Sequence, residues 1–426
     1  MRRAVRLLGA VGVGSLLGMA LAQPASAAWS ATTTASSAGR SAAATMPSGN
    51  QPTATVTTPA GSTVSVTWPA SIGGAPVAGY EVRSYDATNG TPRAVGASCV
   101  GIVAGTSCSE TDVPDGSWHY SVVPRQQGWA GAESPLSDPV LVDSTAPTVV
   151  TTFPAAGGTY NNASWNAGCT SSICGTSADV GSSVASVSVS IRQGAGNYWN
   201  GTAFASATEV LLPATGTTTW TRAFPASNFP AEGTYTVRAV ATDLGGSTAS
   251  TSTTFTIDRT GPAPTALTLF NANGFVTPGT DEVRITFSEA LKLSSVCSAW
   301  SGTGDQSLGG SGVVVTITNS GSNDILTVAA GACTLHIGSV ATGGNYLGLL
   351  TSSATFSGST AATESRVTWT AATRLLTIHL GSQTSGSLNI LGQSAATATY
   401  TPDAAITDPA GNGVVTTPFN AAGQRF

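Results

Sequence analysis

Gly233-Thr-Tyr-Thr-Val-Arg-Ala-Val-Ala-Thr-Asp243 is the stretch that decides the fold. Tyr235, Val237, Ala239 and Ala241 alternate with Thr236, Arg238, Val240 and Thr242. A period of two puts the first set on one face, as in a strand that covers one side of a β-sandwich. Asp115-Gly-Ser-Trp-His-Tyr-Ser-Val122 repeats the pattern. Downstream of each copy lies an Asp-x-Thr-x-Pro joint, Asp143-Ser-Thr-Ala-Pro147 and Asp258-Arg-Thr-Gly-Pro262. A strand, a closing segment and a stiff joint, used twice, predict tandem sandwich domains.

Composition agrees with short strands and turns. Of the 426 residues only 9% are charged, Gly numbers 50, and Lys292 is the sole lysine. Few helix formers and many Val, Thr and Gly residues predict an all-β chain.

The N-terminus reads as an export signal over residues 1–27. Arg2, Arg3 and Arg6 supply the positive region, Leu7 to Ala22 the apolar run, and Ala25-Ser-Ala27 a small-x-small cleavage site. Cleavage removes three arginines and takes the formal charge from −5 to −8. A mildly acidic chain lacks the clustered Lys and Arg that nucleic acid requires, so no nucleic-acid partner is expected. No second long apolar run follows, so no membrane span is expected after signal removal, and the chain reads as secreted or held at the cell surface. Residues 28–50, rich in Ala, Ser and Thr with Trp29 as the one aromatic, read as a flexible stalk, or else as an edge strand at Ala28-Trp-Ser-Ala-Thr32.

Six cysteines in an exported chain predict disulfides. They fall into three local pairs, Cys99/Cys108, Cys169/Cys174 and Cys297/Cys333. A cysteine metal site would need two closely spaced pairs near each other, and that spacing is missing.

Three sandwich domains are expected, at 51–142, 147–258 and 262–426. In the first, Val64, Val66 and Trp68 alternate, Gly79-Tyr-Glu-Val-Arg83 opens a later strand, and Pro114-Asp-Gly116 precedes the Trp118–Tyr120–Val122 strand. These residues resemble a fibronectin type III domain, with Cys99 to Cys108 as a departure from its cysteine-free pattern. In the second, Val187-Ser-Val-Ser-Ile-Arg192, Tyr198-Trp-Asn-Gly201 and the Gly233–Asp243 strand resemble bacterial immunoglobulin-like repeats of large surface proteins. In the third, Gly279-Thr-Asp-Glu-Val-Arg-Ile-Thr-Phe287 and Ile406-Thr-Asp-Pro-Ala-Gly-Asn412 resemble the first strands and closing turn of S-layer-type immunoglobulin-like domains. That domain exceeds the family's usual length. The excess, between Cys297 and Ala398, is expected to be extra strands, because Val313, Val315 and Ile317 alternate there, as do Val367 with Trp369 and Leu376 with Ile378. The fold class is thus all-β, tandem immunoglobulin-like and fibronectin type III-like β-sandwiches.

Catalytic signatures are sparse. The three histidines, His119, His336 and His379, each alternate with apolar neighbours and are expected at the surface. No G-x-S-x-G, H-E-x-x-H or S-x-x-K motif occurs. Glu282, Glu289 and Asp305 are the carboxylates available for a glycosidase-like pair, and read more simply as strand ends and turns. Tyr198 and Trp199, beside the Asn200-Gly201 turn, are the candidate ligand-facing aromatics, with Trp199 alternatively folded back on the core. Asn162-Ala-Ser164 and Asn200-Gly-Thr202 match the glycan acceptor pattern only formally.

Asp143 and Asp258 stand at the two joints, and Asp243 and Asp408 in turns of the repeat. Hard cations take such oxygen clusters, so calcium at the joints is one reading of these four; capping of turns is the other. No other cofactor is implied. Together these features point to a non-catalytic adhesion or spacer protein, its domains strung end to end through Pro-containing joints, with an extracellular protein or polysaccharide as partner. The alternative is a secreted carbohydrate-binding or carbohydrate-active protein with its site in the third domain, marked by two carboxylates converging in an aromatic-lined cleft.

Overall fold

The computed structural model describes residues 44–426 except 272–274, 311, 349, 359, 361–362 and 390. The signal segment and most of the stalk, including Trp29, lie outside the described residues. Contacts divide the chain into two compact units. One takes the described residues through Thr148 with Ala178–Ala185 and Ala241–Ala249; the other takes Val149–Ser177, Ser186–Val240 and Ser250–Phe426.

The first unit is built on two sheets. Thr53–Val56, Val64–Thr67 and Ser107–Glu110 form one, in that order. Gly79–Asp86 and Gly116–Gln126 form the centre of the other, flanked by Pro92–Arg93, Trp129–Ala130 and Val140–Val142. Alternation sets the core: Val64, Val66 and Trp68 meet Tyr80, Val82, Tyr120 and Val122, and all are buried. Trp68 and Tyr80 meet edge to face at 5.5 Å between centroids. Cys99 and Cys108 are bonded inside this core.

The second unit holds two further pairs of sheets. In the earlier pair, Gly233–Asp243 is central to a seven-stranded sheet, between Thr248–Ile257 and Val184–Gln193. Tyr235, Val237 and Ala239 are fully buried there, so the period of two gives the face directly. Thr219–Ala223, Ser172–Ala178 and Thr148–Phe153 form the facing sheet. Between them sits Trp165, on a short helix, Asn162–Ala167, capped by Asn161 and Ser164. Its indole N–H donates to the Phe224 carbonyl at 2.7 Å, and its ring packs on Phe229 and Phe255. Cys169 and Cys174 are bonded at the helix exit.

The last pair has five and seven strands. Pro264–Phe270, Glu282–Phe287, Leu375–His379, Arg366–Thr370 and Gln306–Leu308 form the first sheet. The second runs from Gln383–Ser385 through Val313–Thr318 to Phe419–Gln424. The extra length between Cys297 and Ala398 carries added strands joined by longer loops, and it closes over one core with Phe287, Phe356, Trp369 and Tyr400. Cys297 is bonded to Cys333 at its edge. The chain is all-β, its sheets paired into β-sandwiches.

Candidate functional site

The two joints fold alike. In each, the Thr two residues after the joint Asp turns its N–H back onto the carboxylate: Thr145 N to Asp143 Oδ1 at 3.0 Å, Thr260 N to Asp258 Oδ1 at 3.1 Å. Each joint is matched with a five-residue turn. In Asp243-Leu-Gly-Gly-Ser247, the Ser247 N–H donates to Asp243 Oδ1 at 2.8 Å and the Asp243 N–H donates to the Ser247 carbonyl at 3.1 Å. In Asp408-Pro-Ala-Gly-Asn412, the same two bonds are 2.7 and 3.0 Å.

A third acid completes each group. Asp143, Asp179 and Asp243, all in the first unit, bring one carboxylate oxygen each within 4.8 Å of the others; Asp258, Glu289 and Asp408, all in the second, do the same. The four Asp residues read from the joints and turns are thus split into two clusters. Asp179 and Glu289 come from separate loops, and their part in the clusters is a finding of the fold.

The two clusters differ in how their charge is met. At the second, Asn412 Nδ2 donates to Asp408 Oδ2 at 2.7 Å and to the Asp258 carbonyl at 3.1 Å, so both Asp408 oxygens have donors. Burial and then the nearby charges of Asp258, Asp408 and Glu232 push the Glu289 carboxyl up to about 7, against the pull of Arg374. Burial likewise raises Asp258, with Asp408 and Glu232 adding to it. Glu289 Oε1 is also buried there with no hydrogen-bond partner, so a proton on Glu289 relieves this group near neutral pH.

The first cluster is met differently. Burial acts to raise Asp143, but the hydroxyls near it, Ser182 and Thr145, the Thr145 N–H and the neighbouring Asp179 carboxyl outweigh that and hold it below the usual carboxylate range. Asp143 and Asp243 are each 2% exposed. Asp143 Oδ2, Asp179 Oδ1 and Asp243 Oδ2 are buried oxygens with no hydrogen-bond partner. Among the described residues, no Arg, Lys or His forms an ion pair with any of the three. The three loops approach closely because Gly181 and Gly245 lack side chains: a Cβ at Gly181 would stand 2.2 Å from Asp143 Oδ1, and one at Gly245 2.7 Å from Asp143 Cβ.

The other sequence candidates are occupied with structure. Trp199 is not a ligand-facing aromatic: it is buried, with its ring 5.3 Å from Phe204 and 5.2 Å from Phe224. Its strand, Tyr198–Trp199, pairs between Val184–Gln193 and Phe204–Ser206, which turns Trp199 inward. Tyr198 is half-buried under the Arg192 guanidinium at 5.2 Å. His119 lies 2.7 Å from the Ser137 carbonyl, His336 3.1 Å from Asp403, and His379 2.9 Å from Glu282. Glu282 also holds Arg284 at 2.7 Å, and Asp305 accepts the Ala371 N–H at 2.8 Å. In the third sandwich a depression of about 340 Å³ is lined by Leu291, Lys292, Leu293, Trp300 and Pro409 among others, and by no carboxylate.

No family model matches the sequence, and no curated protein matches it. Among solved structures, the chain is similar to the FN1–FN3 domains of chicken CNTN1, at 10% identity over 89% of this chain and 99% of that one, with a TM-score of 0.25. A structure of a 1.5-MDa bacterial ice-binding adhesin is similar at 16% identity over 86% and 91% of the two chains, TM-score 0.28. A tetra-tandem repeat from the extending region of a large adhesion protein is similar at 15% identity over 87% and 98%, TM-score 0.23. At these identities and scores no residue of this chain takes a role from its neighbours. Among the described residues no helix is long and apolar enough to cross a membrane.

Proposed function

We propose that the chain is a non-catalytic, exported adhesion or spacer protein of the cell surface or extracellular space. One observation carries this reading. Apart from Glu289, whose Oε1 is buried without a partner, the candidate aromatic and charged side chains are spent on cores and internal pairs. Trp199 fills a core, Glu282 is tied to Arg284 and His379, and Asp305 caps a turn. The carbohydrate-active alternative needs two carboxylates in an aromatic-lined cleft. The depression beside Trp300 has none on its walls. Three disulfides fit an oxidising compartment outside the cytosol. The partner would be an extracellular protein or polysaccharide that recognises a sandwich face or loop end.

The test is a turnover screen of the mature chain against polysaccharide, peptide and ester substrates, alongside fractionation of cells that express it. The expected result is no turnover, with the chain recovered outside the cytoplasm. Turnover abolished by Glu282→Gln, Glu289→Gln or Asp305→Asn would overturn the reading.

A further inference from the structure

We propose that Asp143, Asp179 and Asp243 bind a calcium ion in the first compact unit, whereas the parallel cluster at Asp258, Glu289 and Asp408 does not depend on one. The inference rests on the geometry of the cluster and stands apart from the choice of extracellular role.

Two observations point to a cation at the first cluster. The first is the set of starved acceptors. Three oxygens, one from each acid, are buried without a donor, and two belong to side chains that are 98% buried by exposures of 2%. Buried carboxylates are ordinarily paired, hydrogen-bonded or bound to metal. Here pairing is missing and the hydrogen bonds reach only one oxygen of each: Oδ1 of Asp143 and Asp243, and Oδ2 of Asp179. The second observation is Ser247, itself 7% exposed, whose hydroxyl has no partner in the same turn.

At the parallel cluster the turn Asp408 has a donor on each oxygen, although Glu289 Oε1 is buried there without one. Residue 412 occupies the place in its turn that residue 247 occupies in the first. There it is Asn, and its amide reaches both the turn Asp and the joint backbone. Serine at 247 is too short and leaves Asp243 Oδ2 unmet. The amide at one joint is thus replaced at the other by a hydroxyl that leaves Asp243 Oδ2 without a donor. All the donors are oxygens, which selects a hard cation over zinc or copper. Carboxylates from three separate loops suit the irregular, many-oxygen shell of calcium better than the strict octahedron of magnesium. Water would complete the shell. A bound ion would tie the segment at 143–145 to the loops at 179–183 and 243–247.

The experiment uses the mature chain, stripped with chelator, titrated with calcium chloride in a calorimeter and followed by thermal unfolding. One calcium per chain is expected, with a raised melting temperature for the transition of the first unit, since a ligand of the folded state stabilises it. Ser247→Asn keeps every carboxylate and installs the amide found at the parallel turn; it should weaken calcium at least tenfold while raising the melting temperature in chelator. Asp179→Asn, at the least buried of the three acids, should weaken calcium to a similar degree and retains the acceptor for the Ser182 N–H. Asp408→Asn should leave calcium affinity unchanged. No uptake by the wild-type chain, or wild-type affinity in both Ser247→Asn and Asp179→Asn, would overturn the proposal.

Discussion

Replacing Glu110 with alanine would strip the core of the first unit of the charge around which it is arranged. Glu110 is 1% exposed, yet it accepts four hydrogen bonds: two from the Arg93 guanidinium at 2.8 Å each, one from the Gly96 N–H at 2.7 Å and one from the Tyr120 hydroxyl at 2.7 Å. Removing one partner of a buried ion pair costs ~3–5 kcal/mol. Arg93 keeps 19% of its side chain exposed and lies over Trp118 at 4.7 Å, so water can partly serve it, which favours the lower end. Gly96 and Tyr120 each lose their acceptor, at ~1–3 kcal/mol for a buried donor left unmet, which pushes the other way. The balance is about 4 kcal/mol, or roughly a thousandfold in the opening equilibrium. Hydrogen exchange of the full mature chain, read on peptides covering Val64–Thr67 and Ser107–Glu110, measures it locally. The double replacement Arg93→Met with Glu110→Met should recover most of the loss, because an apolar pair leaves no charge stranded. A loss below ~1 kcal/mol for Glu110→Ala would refute the assignment of Glu110 as buried and engaged by four donors.

Other outcomes follow from the same structure. Removing Cys297 and Cys333 together should cost about 4 kcal/mol, against about 2 for Cys169 with Cys174, because the separations are 36 and 5 residues and the longer loop gains more freedom in the unfolded chain; denaturant midpoints of the two alanine variants give the comparison. Acid should act oppositely on two of the sandwiches. In the first unit, burial acts to raise Glu81 and Glu133, but Arg125 and Arg83 at Glu81, and Ser121 and Tyr85 at Glu133, hold both below their ordinary value of 4.5, so their stabilisation is present above that value and lost as pH falls through the lowered one. In the third sandwich, burial pushes Asp281 from 3.8 up to about 6, so the cost of its charge, on the order of 3 kcal/mol, is removed as pH falls from 7 toward 4. Peptide-resolved exchange across that pH range should show the two regions moving apart, and Asp281→Asn should flatten the second response. Trp199→Ala should destabilise by ~3–5 kcal/mol, as for other buried large-to-small changes, measured by the denaturant midpoint; a neutral result would mean the ring does not fill the core.

Much of this was legible in the sequence because it is local. Tyr235, Val237, Ala239 and Ala241 declare their face by alternation alone, and the three cysteine pairs lie close along the chain. The joint and turn aspartates were visible for the same reason: each is fixed by bonds within a few residues. Asp179 and Glu289 were not, since a third carboxylate reaches each cluster only through tertiary packing and its neighbours in sequence carry no mark of it. The contrast of Ser247 with Asn412 is plain in the letters, but its meaning depends on knowing that the two turns share a hydrogen-bond pattern. Trp199 was open to either side because its strand is two residues long, too short for alternation to assign a face. Trp165 carries no mark of its core position in the letters around it. Its short helix is set by the Asn161–Ser164 cap, inside a segment whose Asn-Ala-Ser triplet reads first as a glycan acceptor.

Pulling the mature chain from its two ends in calcium tests most directly whether it works as sandwiches in series. Separate unfolding events are expected, one for each pair of sheets, each releasing roughly 3.3–3.6 Å of length per freed residue. Stretches closed by Cys99–Cys108, Cys169–Cys174 and Cys297–Cys333 should stay short until reductant is added. A single event that releases the whole chain at once, or extension without resistance, would contradict a spacer built of independent β-sandwiches.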